Sequence, residues 1–497
     1  MKNKQSFIKN FSADFPASIV VFLVALPLCL GIALGSGAPL FSGIIGGIAG
    51  GIVIGSLSAS QVSISGPAAG LTAIVAAAIL ELGAFETFLA AVVMGGVIQL
   101  IFGLLKAGFL SDYIPGSVIK GMLAAIGLIL IIKQFPYLVG YEMPGGLILF
   151  GALVIGILSI AIQVLWDKVL VKKAKLFRLL PAPLVVVVAG VLINEGFKLY
   201  SPQLALSSAY LVSIPVAASV GEFAGFFSFP DLSALGNWKV WKAAFTIALV
   251  ASLETLLNIE ASDELDPYQR VTPKNRELRA QGIGSIVSGL IGGLPLTSVI
   301  VRSSANVNAG ARSSMSAVMH GVLLIACVAF IPGVLNLIPL SALAGILIYT
   351  GYKLARVSLF KEFYRRGWDQ FVPFVVTISA ILLTDLLVGI LIGSLVGLSF
   401  TMRSNFRSAV LVVSDDNHYL FRLRKDVSFL NKPIIKNTLE KVPAHSFVLI
   451  DAARADYIDR DVVEVIEDFT RHAHLKGIKV EIKSSNLKKH KFNHPLN

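Results

Sequence analysis

Apolar runs of about 17–22 residues recur along this chain as far as Met402, and no other feature restricts the fold as strongly. A helix of that length crosses the ~30 Å hydrocarbon layer of a bilayer, where only helices and closed barrels satisfy their own backbone. The runs fall near 17–34, 40–57, 67–80, 86–105, 116–132, 146–166, 181–193, 240–258, 280–291, 303–311, 317–335, 339–354, 370–384 and 386–402. They make about fourteen spans, although the third, seventh, ninth and tenth are too short or too rich in Gly to stand on hydropathy alone. Composition agrees. Charged residues are 14% of the chain and hydrophobic residues 55%, whereas a soluble chain carries about 25% charged residues. The mean hydropathy is +0.78.

Loop charge tests the count. With the N-terminus inside, loops after even-numbered spans are cytoplasmic and hold the Lys and Arg residues. Lys106 follows span four, and Lys168, Lys172, Lys173, Lys175 and Arg178 follow span six. Arg270, Lys274, Arg276 and Arg279 follow span eight, and Arg312 follows span ten. Lys353, Arg356, Lys361, Arg365 and Arg366 follow span twelve, and Arg403 and Arg407 follow span fourteen. Odd-numbered loops are poor in bases, Lys133 and Lys198 excepted. A miscount would scramble this alternation. The long loop 194–237 then divides the spans seven and seven, and an odd number per half inverts the second half, as in secondary transporters. The expected protein is an α-helical multi-pass protein of the inner (plasma) membrane with a 7+7 inverted repeat and both termini cytoplasmic.

The net charge of +12 fits this loop bias. No basic stripe interleaved with aromatics marks a nucleic-acid surface, so nucleic acid is not an expected partner. Cys29 and Cys327 lie inside apolar runs and offer neither a disulfide framework nor metal spacing. Residues 1–14 read as a basic cytoplasmic N-terminus, and the first run as a retained helix rather than a cleaved signal. Beyond residue 405 the character changes. Strands 409–413 and 419–423, a helix 432–441, a strand 446–450, a helix 461–474 and a strand 479–482 predict a ββαβαβ module over 406–486. A basic tail, 487–497, carries Lys488, Lys489, His490 and Lys491 and reads as disordered.

Two short segments occupy matching places in the two halves. One is Gln61 to Thr72, with Gly66-Pro67-Ala68-Ala69-Gly70; the other is Gly292 to Ser304, with Gly293-Leu294-Pro295. Each pairs a β-like stretch with Gly and Pro, then a helix of small residues. Interrupted helices at membrane depth line cavities, and a helix start offers free N–H groups to an anion. Gly and Pro for close packing alone would explain one such segment. A matched pair favours a site built from Ala68, Ala69 and Gly70 with Thr297, Ser298, Val299 and Ile300.

Glu254 is the carboxylate within the apolar stretch 240–258. An intramembrane carboxylate is costly and faces a cavity or a partner. Beside an anion site it suits a cation: Na⁺ held as a metal ligand, or H⁺. Asn258, four residues on, shares its helical face. A position at the cytoplasmic helix end, paired with a loop base, is the plainer alternative. Arg302 follows the Gly and Pro of the second segment, where it raises the local positive potential, neutralises Glu254, or makes a structural salt bridge. The seven histidines form no metal constellation; His472 and His474 diverge and His320 reads as packing. No phosphate loop, nucleophile–base set or dinucleotide fingerprint is present, so the chain does not read as an enzyme, no cofactor is expected beyond a co-transported Na⁺, and ion gradients remain as the energy source.

The stretches Val24-Ala25-Leu26-Pro27-Leu28, Ser63-Ile64-Ser65-Gly66-Pro67, Ile114-Pro115-Gly116-Ser117-Val118-Ile119-Lys120-Gly121 and Gly292 to Ser303 resemble the SulP inorganic anion transporter family (solute carrier family 26 in animals). The resemblance covers about residues 15–405, and the soluble module is similar to the STAS domain of that family. It implies core and gate domains, an elevator-like movement, a homodimer, and substrates such as sulfate, bicarbonate, chloride and dicarboxylates. The first-span motif is more similar to sodium-dependent bicarbonate transporters than to eukaryotic sulfate transporters, which favours bicarbonate over sulfate. Those transporters hold Na⁺ with an acidic residue matched here by Glu254 and a Thr matched by Asn258. The departure leaves Na⁺ and H⁺ both open. In the soluble module, Tyr457-Ile458-Asp459-Arg460-Asp461 lacks the Ser of a phospho-switch, which favours a scaffold or dimer role. The rivals are a nucleobase transporter of the same fold, an anion channel or exchanger, and a membrane-anchored signalling protein. The half-helices lack the acidic residues that a base reader needs.

Overall fold

The computed structural model describes residues 2–109, 115–140, 148–173, 177, 180–216, 222, 225–428 and 431–483, the side chains of 2–9, 401–409 and 425 apart. The basic tail at 487–497 lies outside the described residues, as do Lys175, Arg178 and Ile114.

Helices occupy every predicted run. They are α1 (Lys2–Gly35), α2 (Leu40–Leu57), α3 (Ala69–Leu82), α4 (Phe85–Leu104), α5 (Gly116–Val139), α6 (Phe150–Lys173), α7 (Ala182–Tyr200) and α8 (Trp238–Leu265). Then come α9 (Lys274–Leu290), α10 (Ile300–Asn308), α11 (Met315–Phe330), α12 (Leu340–Leu354), α13 (Val357–Arg366), α14 (Trp368–Leu383) and α15 (Leu386–Ala409). Among the described residues, seven helices are long and apolar enough to cross a membrane, and α3, α11, α14 and much of α15 are shorter apolar helices.

Several helices outrun their apolar runs. The seventh continues from 193 to Tyr200, and in that extension Glu195 and Lys198, one turn apart, pair at 2.6 Å. The fifth passes Lys133 to Val139 and ends at Gly140, whose φ of +65° closes the helix in the left-handed region that glycine favours. The first begins at Lys2, so residues 2–14 are helical and continuous with the first run. The loop after span twelve contains a helix the hydropathy pattern did not show. In α13, Leu359 and Phe363 lie on one face and are buried, while Lys361, Arg365 and Arg366 stay outside, the arrangement of an interfacial helix. Phe363 stacks on Phe374 with ring centroids 4.6 Å apart.

Helices without a hydrophobic drive to associate in lipid approach through small residues. Gly96 of α4 and Gly282 of α9 meet backbone to backbone: a Cβ on either would stand 2.8 or 2.7 Å from the other's carbonyl oxygen.

The described residues divide into two compact units, the first within Met1–Arg366 and Phe374–Gly393, the second within Gly367–Pro373 and Ser394–Asn497. The second holds the expected ββαβαβ order: β3 (Val410–Asp415), β4 (His418–Val427), α16 (Lys432–Glu440), β5 (Phe447–Ile458), α17 (Arg460–Ala473) and β6 (Lys479–Lys483). The sheet runs β3-β4-β5-β6, antiparallel between β3 and β4 and parallel thereafter. Its core is Phe421, Val448, Ile450, Val462 and Ile466 among others, from alternate strand positions and one face of α17. Asp459 caps α17 by accepting the Asp461 N–H at 3.0 Å.

Candidate functional site

The two interrupted segments meet. β1 (Ser65–Gly66) and β2 (Thr297–Ser298) pair antiparallel, with Ser65 opposite Ser298 and Gly66 opposite Thr297. Side chains reinforce the crossing. The Ser63 and Ser298 hydroxyls are 2.6 Å apart, the Ile64 N–H donates to Ser303 Oγ at 2.9 Å, and Asn306 Nδ2 donates to the Val62 carbonyl at 2.9 Å.

From this crossing α3 and α10 depart. At ~1.5 Å per residue α3 is about 21 Å long and α10 about 14 Å, so neither crosses a bilayer. Neither helix start carries a side-chain cap. Uncapped starts present N–H groups and a positive dipole end.

The structure sorts the predicted site residues. Glu254, on α8, is buried at 8% exposure, and the Gly70 N–H is directed at its carboxylate. A Cβ on Gly70 would collide with both carboxylate oxygens, so glycine is required for this approach. Glu254 Oε2 has no hydrogen-bond partner, and no basic side chain pairs with Glu254 among the described ion pairs, contrary to the loop-base alternative. Asn258 shares the helical face, and its Nδ2 donates to the Ser298 carbonyl at 2.6 Å, a bond that leaves its Oδ1 out of the crossing. Thr297 Oγ1 donates to the same carbonyl at 3.0 Å.

The expected amide cradle narrows. Ser298 gives its N–H to Thr255 Oγ1 at 3.3 Å and Val299 gives its N–H to the Ile64 carbonyl at 2.9 Å, so both are spent on joining the segments. Gly70 faces Glu254. Ala68 caps the start of α3 in extended conformation, leaving Ala69 and Ile300 as the first helical residues of the two starts.

Arg302 is fully buried, the largest side chain to be so. Its Nη2 donates to the Pro67 carbonyl at 3.2 Å and toward Cys29 Sγ at 3.4 Å, while Nε and Nη1 have no partner. Among the described ion pairs it has no carboxylate, so it neither neutralises Glu254 nor makes a structural salt bridge. It places an uncompensated positive charge behind the start of α3.

One buried network has no counterpart among the residues the sequence singled out. Gln281 Nε2 donates to Ser65 Oγ at 2.6 Å and to Glu277 Oε1 at 3.0 Å, and Ser58 Oγ donates to Glu277 Oε2 at 2.5 Å. Glu277 and Gln281 are four apart on α9, a spacing that was readable, but the apolar run begins only at 280.

A family model described as the sulfate permease family matches residues 11–377. The chain belongs to the sulfate permease family. Among curated members of similar sequence, a putative sulfate transporter of Bacillus subtilis (strain 168), YvdB, is 27% identical over 384 residues, 74% of this chain and 69% of that one. The bicarbonate transporter BicA of Picosynechococcus sp. is 27% identical over 342 residues, 65% of this chain and 57% of its own length. Among solved structures, the transmembrane domain of a cyanobacterial BicA superposes with a TM-score of 0.66 at 23% identity, covering 76% of this chain and 97% of that one. The murine Solute Carrier 26 family member A9 anion transporter, in the inward-facing state, superposes at 0.70 with 14% identity, covering 95% and 85%. The family's members and structural neighbours are membrane transporters, not enzymes, and their shared helical fold is the fold of this chain.

Proposed function

We propose that the chain is a secondary active carrier of a small inorganic oxyanion, bicarbonate before sulfate, driven by Na⁺ or H⁺. The single observation behind this is the meeting of two uncapped helix starts at one β crossing, with the Glu254 carboxylate against Gly70. The anion sits between the starts of α3 and α10, on the N–H groups of Ala69 and Ile300, with Arg302 supplying positive potential from behind.

The placement supplies a reason for coupling. An ionised Glu254 and a substrate anion share the start of α3. Two unit charges 4 Å apart repel by about 4 kcal/mol at an effective dielectric of ~20, roughly a thousandfold in affinity. A cation on Glu254 removes that repulsion, and by linkage the anion strengthens cation binding by the same factor. Glu254 Oε2 is the oxygen that faces the task. Around this site we infer fourteen spans in a 7+7 inverted repeat, core and gate domains moving as an elevator, both termini cytoplasmic, and a homodimer through the STAS-like unit.

Uptake of labelled bicarbonate and sulfate into proteoliposomes, with and without Na⁺ and pH gradients, tests the reading. The wild type is expected to show saturable uptake accelerated by one gradient, and Glu254→Gln to lose that acceleration. Unchanged acceleration in Glu254→Gln removes the coupling assignment. Absence of uptake of either anion removes the carrier.

A further inference from the structure

Helix α13 joins α12 to α14. Its 10 residues rise ~1.5 Å each, about half the hydrocarbon layer in all, so it does not cross that layer. Its two sides differ. Leu359 and Phe363 point inward and are buried. At ~100° per residue, Lys361 and Arg365 point the opposite way, one turn apart, and both are exposed. Beside them lie Val357 and Tyr364, each 61% exposed. Arg356, just before the helix, is also exposed.

The bases are not equally committed. Lys353 pairs with Asp167 and Arg366 with Glu362, while Arg356, Lys361 and Arg365 enter none of the described ion pairs. Loop-charge bias accounts for bases in this segment, but not for their gathering on one side of a helix beside exposed apolar side chains. A face turned wholly to water has no use for Val357 and Tyr364. A face at the membrane surface has a use for both kinds of residue: bases meet headgroup phosphates and the apolar flank meets the acyl boundary. The guanidinium of Arg365 can present two N–H groups to one phosphate, and Lys361 adds a compact charge one turn away. Glu362, the carboxylate of this helix, is occupied by Arg366. The helix therefore offers no spare acid to the ammonium group of a zwitterionic headgroup.

We propose that the Lys361–Arg365 face of α13, with Arg356, docks the headgroup phosphate of an anionic phospholipid, and that Val357 and Tyr364 rest against its acyl chains. The inference goes beyond the carrier reading and does not depend on which ion is carried.

Titration of the detergent-solubilised full chain with phosphatidylglycerol, followed through Tm, gives an apparent affinity that tests it. Lys361→Gln/Arg365→Gln is expected to weaken that affinity about thirtyfold, or ~2 kcal/mol at ~1 kcal/mol per base near an anionic surface. Lys172→Gln/Lys173→Gln removes two exposed bases at the end of α6 and is expected to leave it unchanged. For the wild type, phosphatidylcholine is expected to give no comparable shift, and raising NaCl from about 0.05 to about 0.5 M to weaken the phosphatidylglycerol response. Equal losses in the two variant pairs would assign the effect to net charge and overturn the site, as would an unchanged affinity in the α13 pair. Displacement of the lipid by soluble glycerol phosphate would make this a free-phosphate site and overturn the lipid. Should the α13 variant fail to fold, the wild type decides: an equal response to phosphatidylcholine, or one indifferent to salt, overturns the proposal. A chain that moves no anion overturns the carrier reading and leaves this one standing.

Discussion

Glu254 and Gly70 determine each other. The carboxylate reaches the helix start only because position 70 has no side chain, and the N–H directed at it belongs to that same residue. Gly70→Ala therefore either displaces Glu254 or opens the contact between α3 and α8. Overpacking of a tight contact costs about 1–3 kcal/mol. The expected outcome is a lowered Tm and at least tenfold slower uptake for Gly70→Ala. In the double variant Gly70→Ala/Glu254→Ala most of the Tm should return, with a coupling energy of about 0.5–3 kcal/mol for residues in contact. Additive losses in that cycle would mean that Glu254 does not meet Gly70. A buried setting for Glu254 was legible in the chain, because a carboxylate in an apolar stretch faces a cavity or a partner. Its partner was not. Nothing in the residues 61–72 says that the amide they turn toward α8 is Gly70, and helical spacing alone does not show that Asn258 Nδ2 donates to β2.

Short elements, not the long helices, make the site. β1 and β2 are too brief to be recognised by alternation, yet their register fixes where both half-helices begin. Helix α8 holds β2 through Asn258 and Thr255, and α9 holds β1 through Gln281. Asn258→Leu removes the donor to the Ser298 carbonyl, whose other donor is Thr297 Oγ1. A loss of about 1 kcal/mol is expected, near the net worth of one hydrogen bond. It should appear as a reduced Tm and a raised KM, with gradient dependence retained. Loss of gradient dependence in Asn258→Leu with unchanged Tm would instead make Asn258 a direct cation ligand. The matched Gly and Pro segments announced interrupted helices. Their antiparallel contact, between stretches far apart in the chain, did not follow from either segment alone.

For the molecule as a whole, alternation of loop charge gives a topology that can be measured. Native Cys29 and Cys327 are buried, so single introduced cysteines report with little background. With fourteen spans and a cytoplasmic N-terminus, Ser208→Cys should react with an impermeant thiol reagent added outside, and Lys361→Cys only after the membrane is opened. Both positions are exposed. Reaction of both from the same side would break the inverted-repeat reading. The C-terminal α/β unit keeps its own core and capped helix, and its element order followed from alternation and amphipathicity.

Hydropathy, residue alternation and the placement of Gly and Pro determined the membrane character, the positions of the helices, the C-terminal α/β module and the two interrupted segments. Those properties are local, or periodic along the chain, and lipid leaves few alternatives to a helix. Tertiary structure alone decided which amides the crossing of β1 and β2 uses, that Arg302 lies buried with no carboxylate partner among the described ion pairs, and that Glu277 and Gln281 brace β1. Each of these is a meeting of side chains from separate helices. Such meetings are set by how the helices pack, and packing has no period that a single sequence displays.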